Sequence, residues 1–238
     1  MVILITGSSS GIGETIARRL FEDGHCVSLM ARRANLLEAI VRDLDPDGTG
    51  KVLAVPGDVG SWEDCVSSVS ETIEAFGRLD GLVNAAGTWV EEPLIQASPD
   101  DIQRFVNTDV SGAIQITRAS LAHLKEAGSG RLIHLNGLQG FIRQRPPVLY
   151  AAVESAVRGL TESLRWEAAE YGVHVGLISL GSVANTEPPS PEGSALSNDE
   201  GRLSLSRDEV TDAVIFMLSR APGVNVDEII LTPLRQKL

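Results

Sequence analysis

The chain has 238 residues, 43% of them apolar, enough to close the core of one domain and too many for a disordered or fibrous chain. Twenty basic against 32 acidic residues give a net charge of −12, a far field that repels nucleic-acid backbones and anionic membranes, so the expected partner is a small molecule. Two cysteines, Cys26 and Cys65, form neither a disulfide framework nor a metal spacing, so no metal is expected and a reducing compartment is the default.

The N-terminal apolar run MVILITG lacks a basic flank, and no later segment approaches the roughly eighteen apolar residues of a membrane helix. The expectation is a soluble, cytoplasmic protein.

Short β-branched runs alternate with helical periodicity along the chain, the pattern of an α/β protein with a parallel sheet covered on both faces. Strands are expected near Val2–Thr6, Cys26–Ala31, Val52–Val55, Gly81–Val83, Arg131–Leu135, Val173–Leu180 and Glu228–Leu231. Helices fit near Ile12–Glu22, Ala34–Leu44, Trp62–Phe76, Pro99–Glu126, Tyr150–Tyr171 and Arg207–Ser219.

The first strand runs straight into Gly7-Ser8-Ser9-Ser10-Gly11-Ile12-Gly13 and then a helix. Glycines there allow a tight turn and close approach to a ligand, while the helix N-terminus offers amides and a positive dipole end to a pyrophosphate. After the second strand stands Ala31-Arg32-Arg33, where a dinucleotide fold selective for an unphosphorylated ribose carries an acid. Guanidinium groups bind a 2′-phosphate through paired, charge-assisted hydrogen bonds, so the expected cofactor is NADPH.

In the fourth helix Ser98 is placed to cap, Pro99 suits the first turn, and Asp101 stands where a capping-box acid reaches back. On the fifth, Val153, Ala156, Val157, Leu160 and Leu164 recur at helical spacing and predict one buried stripe, against the sheet or a second subunit. Residues 182–205, rich in proline, glycine and serine, exceed the roughly 12 to 15 residues usual for a structureless loop. They follow the sixth strand, at the end of the sheet where α/β proteins bind ligands, and read as a substrate lid.

The loop TGSSSGIG resembles that of the short-chain dehydrogenase/reductase family, and the resemblance runs over nearly the whole chain. Gly57-Asp58-Val59 resembles the family's adenine-contacting segment, and Asn84-Ala85-Ala86-Gly87 its NNAG stretch with the second Asn replaced. Tyr150 heads a helix as the family's catalytic Tyr does, and Leu180-Gly181 stands for the usual Pro-Gly. The resemblance implies a doubly wound Rossmann-type fold with a seven-stranded parallel sheet, a single domain over residues 1–238, and a homodimer or homotetramer. It assigns cofactor contacts to Gly7, Ser9, Ser10, Gly11, Ile12 and Gly13, to Arg32 and Arg33, to Asp58, Val59 and Asn84 to Gly87, and to Tyr150, Glu154, Gly181 and Val183.

The family's proton-handling group is Ser, Tyr, Lys and Asn, and only the Tyr is kept. The Lys position four residues after Tyr150 is Glu154, the Ser position is Gly137, and the Asn position is Asp109. Residues four apart share a helix face, so a carboxylate stands where an ammonium would lower the phenol's pKa. At about 4 Å and an effective dielectric near 20 one charge is worth roughly 4 kcal/mol, so Tyr150 is expected to be a poor base.

A carbonyl needs a proton as hydride arrives, whereas an iminium carbon does not, and a hemiaminal becomes an iminium by losing water with help from an acid. The candidate catalytic residues are therefore Tyr150, Glu154, Asp109 and Asn136, for hydride transfer to a C=N, iminium or hemiaminal carbon of a small molecule, with a natural product as one source. Two other readings stay open. One is a catalytically silent NADP(H)-binding sensor or scaffold; the other is an ordinary carbonyl reductase in which Asn136 or Gln139 replaces the serine. Each acid also has a bland reading, Glu154 as an exposed partner of Arg158 and Asp109 as a solvated helix acid.

Overall fold

A computed structural model describes residues 1–89, 92–138, 147–184 and 204–234. The chain alternates strand and helix as β1 (Val2–Thr6), α1 (Gly11–Glu22), β2 (Cys26–Ala31), α2 (Ala34–Leu44), β3 (Val52–Pro56), α3 (Trp62–Phe76) and β4 (Gly81–Asn84). Its second half adds α4 (Pro99–Val106), a π-helical turn (Asn107–Ser111), α5 (Gly112–Glu126), β5 (Arg131–Gly137), α6 (Val148–Ala169), β6 (His174–Leu180), α7 (Arg207–Leu218) and β7 (Glu228–Leu231).

The strands form one parallel sheet in the order β3-β2-β1-β4-β5-β6-β7, the doubly wound arrangement expected. Successive side chains of a strand face opposite sides, and both sides are apolar. Ile3 and Ile5 of β1 join a core with Ile16 and Leu20 of α1 and Val214 of α7, while Leu4 between them joins Val69 of α3, Ile116 of α5 and Leu164 of α6. The order reverses between β1 and β4, so the loops leaving these strands diverge and open a crevice at the carboxyl end of the sheet.

Local chemistry sets the helix starts. Ser61 accepts from the amide of Asp64, and α7 opens on a reciprocal box between Ser206 and Glu209. Ser98 caps α4 as expected, but Asp101 reaches back to the Ser98 hydroxyl, at 2.6 Å, and not to its amide.

The expected single helix Pro99–Glu126 is interrupted by the five-residue π turn, a feature that apolar spacing cannot show because the residues on either side keep helical periodicity. Helix α6 starts two residues before Tyr150. Its buried stripe is Val153, Val157, Thr161, Leu164 and Ala168, with Ala156 exposed, because the face against the sheet advances mostly by four residues.

Of the segment 182–205, expected to be a lid, 185–203 lie outside the described residues, as do Gln139 and the rest of 139–146. The described residues on either side of 185–203 are tied together: Ala184 donates to the Leu205 carbonyl and Leu205 to that of Ser182, at 2.9 and 2.8 Å. No helix among the described residues is long and apolar enough to cross a membrane.

Candidate active site

Two adjoining cavities of about 340 and 540 Å³ fill the crevice and share Ile12, Ala85, Ala86, Gly87, Thr88 and Val183 as a common wall. The first lies over the glycine loop and the ends of β2 and β3. Gly7 has φ +65°, and a side chain there would meet the Ala85 carbonyl at 2.6 Å; at Gly13 it would meet the Gly7 carbonyl at 2.5 Å. These contacts bring the loop, the start of α1 and the segment after β4 closer together than any side chain permits.

Gly11, at φ +64°, has nothing within 4 Å of where a Cβ would stand, which leaves its backbone open to the cavity. Ser10, the residue before α1, makes no side-chain cap, so the first amides of the helix remain available to an anion. Arg33 donates to the Ser9 hydroxyl at 2.8 Å and to that of Ser10 at 2.7 Å, and Arg32 lines the same rim. A glycine cradle, an uncapped helix start and two guanidinium groups fit a dinucleotide that carries an extra phosphate.

All the cofactor residues put forward from the sequence reach this crevice. The glycine loop, the arginine pair, Asp58 and Val59 line the first cavity, Asn84, Tyr150, Glu154 and Gly181 the second, and Ala85 to Gly87 with Val183 both. Arg207, the first residue of α7, also lines the first cavity; its distance in sequence from the arginine pair left no signal.

The second cavity holds the acids. The π turn aims Asp109 at the loop after β4, where its carboxylate accepts from the Thr88 amide at 2.9 Å and the Thr88 hydroxyl at 2.7 Å. Burial pushes Asp109 up to about 6 despite those bonds. Asn107, two residues earlier, turns away and donates to the Gly60 carbonyl.

Glu154 projects from α6 and accepts from the backbone amide of Gly137. Burial first, with the charge of Asp109 adding to it, raises it to about 7 against the lowering effect of that amide. The bland readings of both acids fail here. Arg158 pairs with Glu228 and Glu162, not with Glu154, and both candidate acids are buried.

Tyr150 is turned toward Glu154, and burial first, then the neighbouring carboxylate, holds its phenol far above its ordinary pKa. Its hydroxyl occupies the space a side chain at 137 would need: a Cβ on Gly137 would lie 2.0 Å from it. Gly137 is thus a seat for both side chains: its lack of a Cβ leaves room for the Tyr150 hydroxyl, and its amide donates to Glu154.

Asn136 lines the cavity and donates to the Gly137 carbonyl at 3.2 Å, and among the described residues its buried Oδ1 accepts no hydrogen bond. Trp89 meets the Tyr150 ring edge-on at a centroid distance of 4.4 Å and forms an aromatic lip. Among the described residues lining this cavity there is no Lys, Arg or His.

A doubly wound sheet with a glycine cradle at its switch point and a helix-borne tyrosine opposite defines a dinucleotide-dependent oxidoreductase. The family model described as short chain dehydrogenase matches residues 1–193, and the chain belongs to that family. Relatives include an uncharacterized oxidoreductase of Staphylococcus aureus strain USA300, 31% identical over 98% of this chain and 96% of its own length. One of Staphylococcus epidermidis strain RP62A is 29% identical with the same coverage.

Similar solved structures include an alcohol dehydrogenase from the archaeon Thermococcus sibiricus complexed with 5-hydroxy-NADP, 28% identical with a TM-score of 0.85, covering 100% of this chain and 98% of that one. A closed serine dehydrogenase complexed with NADP+ is 26% identical, with a TM-score of 0.85 and coverage of 100% and 97%.

Proposed function

We propose that this oxidoreductase is an NADPH-dependent reductase acting on an iminium carbon, with a hemiaminal as the stable form of its substrate. The observation that carries this reading is the second cavity. Its ionisable side chains are two buried carboxyls and a tyrosine beside one of them, with no cationic side chain among the described residues of its lining. Such a site disfavours anions and favours a cation that forms in place.

NADPH would be held by the glycine loop, the start of α1 and the arginine pair, and it supplies hydride. The alcohol dehydrogenase and serine dehydrogenase named above are described with NADP-type molecules, which supports the same choice here. The acids do the remaining work. A carboxylic acid, Asp109 or Glu154 with a pKa near neutrality, transfers its proton to the hemiaminal hydroxyl; the C–O bond breaks, water leaves, and the nitrogen lone pair forms C=N⁺. The carboxylate left behind is the counter-ion of the cation, and hydride addition then yields a neutral amine with no further proton needed.

Tyr150 does not fit the role of proton donor to a ketone, because its hydroxyl is turned into the gap at Gly137 beside Glu154 and its pKa is held far up. That weighs against ordinary carbonyl reduction. We further propose assembly as a homodimer or homotetramer through the outward faces of α5 and α6, where Ile114 and the 81% exposed Trp166 stand; sedimentation velocity checks it.

The reading is tested by following NADPH oxidation against simple ketones and against cyclic iminium or hemiaminal compounds, after a binding titration. Turnover confined to the second set supports it. Equal turnover of ketones contradicts it, and binding without turnover on either set favours the sensor or scaffold.

A further inference from the structure

Three buried polar residues of the central strands stand in one row. The parallel registers pair Thr6 of β1 with Asn84 of β4, and Asn84 with His134 of β5, at the carboxyl end of the sheet. All three are almost wholly buried, where each polar atom without a partner would cost about 1–3 kcal/mol.

Their hydrogen bonds run in a single sense. The Ala86 amide donates to the Thr6 hydroxyl at 3.1 Å, which donates in turn to Asn84 Oδ1 at 2.6 Å. With Oδ1 so engaged, the amide nitrogen of Asn84 faces His134 Nδ1 at 3.2 Å and must donate to it. Nδ1 therefore carries no proton, and a neutral ring carries its proton on Nε2, which donates to the Thr117 hydroxyl of α5 at 3.3 Å. Burial holds His134 down at about 4, so the ring is neutral at physiological pH.

The segment that follows Asn84 is the common wall of the two cavities, and its other end is fixed when Thr88 donates twice to Asp109. Asp109 and Thr117 lie on the same continuous helical stretch, eight residues apart. The wall is thus pinned to that stretch at both ends, by Asp109 directly and by Thr117 through the imidazole.

We propose that His134 is a positioning residue: acting through Asn84 and Thr6, it fixes the wall Ala85–Thr88 that separates the cofactor cavity from the acid-lined one. This rests on the reading that a dinucleotide binds in the first cavity, and part of the test is made without any cofactor. The chain of donors is one in which each bond polarises the next, and His134 is its only ring.

The experiment compares wild type with His134→Leu, His134→Gln and Thr117→Val. In the free protein, exchange of the Ala86 amide proton is followed by NMR; with cofactor, the NADPH Kd is measured well below the melting temperature. His134→Leu should speed the exchange and weaken NADPH, each by about tenfold or more, the size expected from losing a buried hydrogen bond. His134→Gln, whose amide offers one acceptor and one donor much as the two ring nitrogens do, should restore both to within about threefold. Thr117→Val should fall between, and nitrogen shifts of the His134 ring should show Nε2–H.

A folded His134→Leu protein with a lower melting temperature but unchanged Ala86 exchange and NADPH Kd would show a packing role only and overturn the proposal. So would a ring protonated on Nδ1, or, if His134→Leu does not fold, a Thr117→Val protein that matches wild type in both readouts. Failure of wild type to bind NADPH would instead overturn the cofactor reading, while the amide exchange and the tautomer still decide the role of His134.

Discussion

The two cavities were built under different constraints. In the cofactor cavity the backbone does most of the work: Gly7 and Gly13 are fixed by contacts no side chain could survive, and Arg33 needs only to reach two serine hydroxyls. In the neighbouring cavity side chains decide everything: Glu154 is seated on the Gly137 amide and Asp109 on Thr88. Backbone geometry of the first kind is read directly from glycine spacing. Side-chain chemistry of the second kind shows its meaning only when the partners are seen in contact.

The comparison breaks first at the acids. Glu154→Gln and Asp109→Asn should each lower kcat on a cyclic hemiaminal by about 10²-fold or more while leaving the NADPH Kd within a few-fold. If NADPH binding falls as far as turnover, the two cavities are not separate in function. Replacing Arg32 and Arg33 together by Ala should weaken NADPH by about 50-fold and NADH by no more than a few-fold, as for the loss of charge-assisted bonds to one phosphate. An equal loss for both cofactors, in the same titrations, would remove the phosphate assignment.

The pH dependence sharpens the contrast, because Asp109 and Glu154 are raised to about 6 and 7. Hemiaminal turnover needs a protonated acid and should fall as pH rises through 7. Binding of a permanently charged N-alkyl iminium needs a carboxylate, so its KM should rise as pH falls below 6.

The same shifts bear on stability. Both folded-state values lie above the ordinary carboxyl range, so between about pH 4 and 7 the folded protein holds more protons than the unfolded chain, and stability falls as pH rises through that window. At about 1.4 kcal/mol per unit, each ionised acid costs roughly 3 kcal/mol at pH 8. Glu154→Gln should therefore raise the melting temperature at pH 8 and leave it nearly unchanged at pH 4, as a thermal scan at the two values checks. The smallest expected effect is on Tyr150→Phe: a change of only a few-fold in iminium reduction, where an ordinary tyrosine acid would cost about 10²-fold or more.

Much of this molecule was legible in its sequence. Strand runs such as Val2–Thr6 and Cys26–Ala31 matched the structure because a strand apolar on both faces has no other place than the middle of a parallel sheet. The glycine loop and the arginine pair were legible for the same local reason, since each acts from one short segment. The π turn was not, although it is what aims Asp109 at Thr88, because one extra residue in a turn leaves no mark on periodicity.

The position of Glu154 one turn from Tyr150 followed from helix geometry, but the seat they share at Gly137 joins β5 to α6 and depends on a contact between elements. His134 stood in the open as the one polar residue within the run Leu132–Leu135, a signal that becomes interpretable only when Asn84 and Thr6 fall in register beside it.

The central claim is that two carboxyls select a cationic carbon, and it is tested most directly by a matched pair of substrates, a cyclic N-methyl iminium and the ketone of the same skeleton, each reduced with NADPH by wild type and by the double variant Asp109→Asn, Glu154→Gln. The account predicts a strong preference for the iminium in wild type, measured as the ratio of kcat/KM values, that falls by about 10²-fold or more in the double variant, since a single charge at close range is worth several kcal/mol. A wild type that reduces the ketone as readily, or a preference that survives loss of both acids, would contradict it.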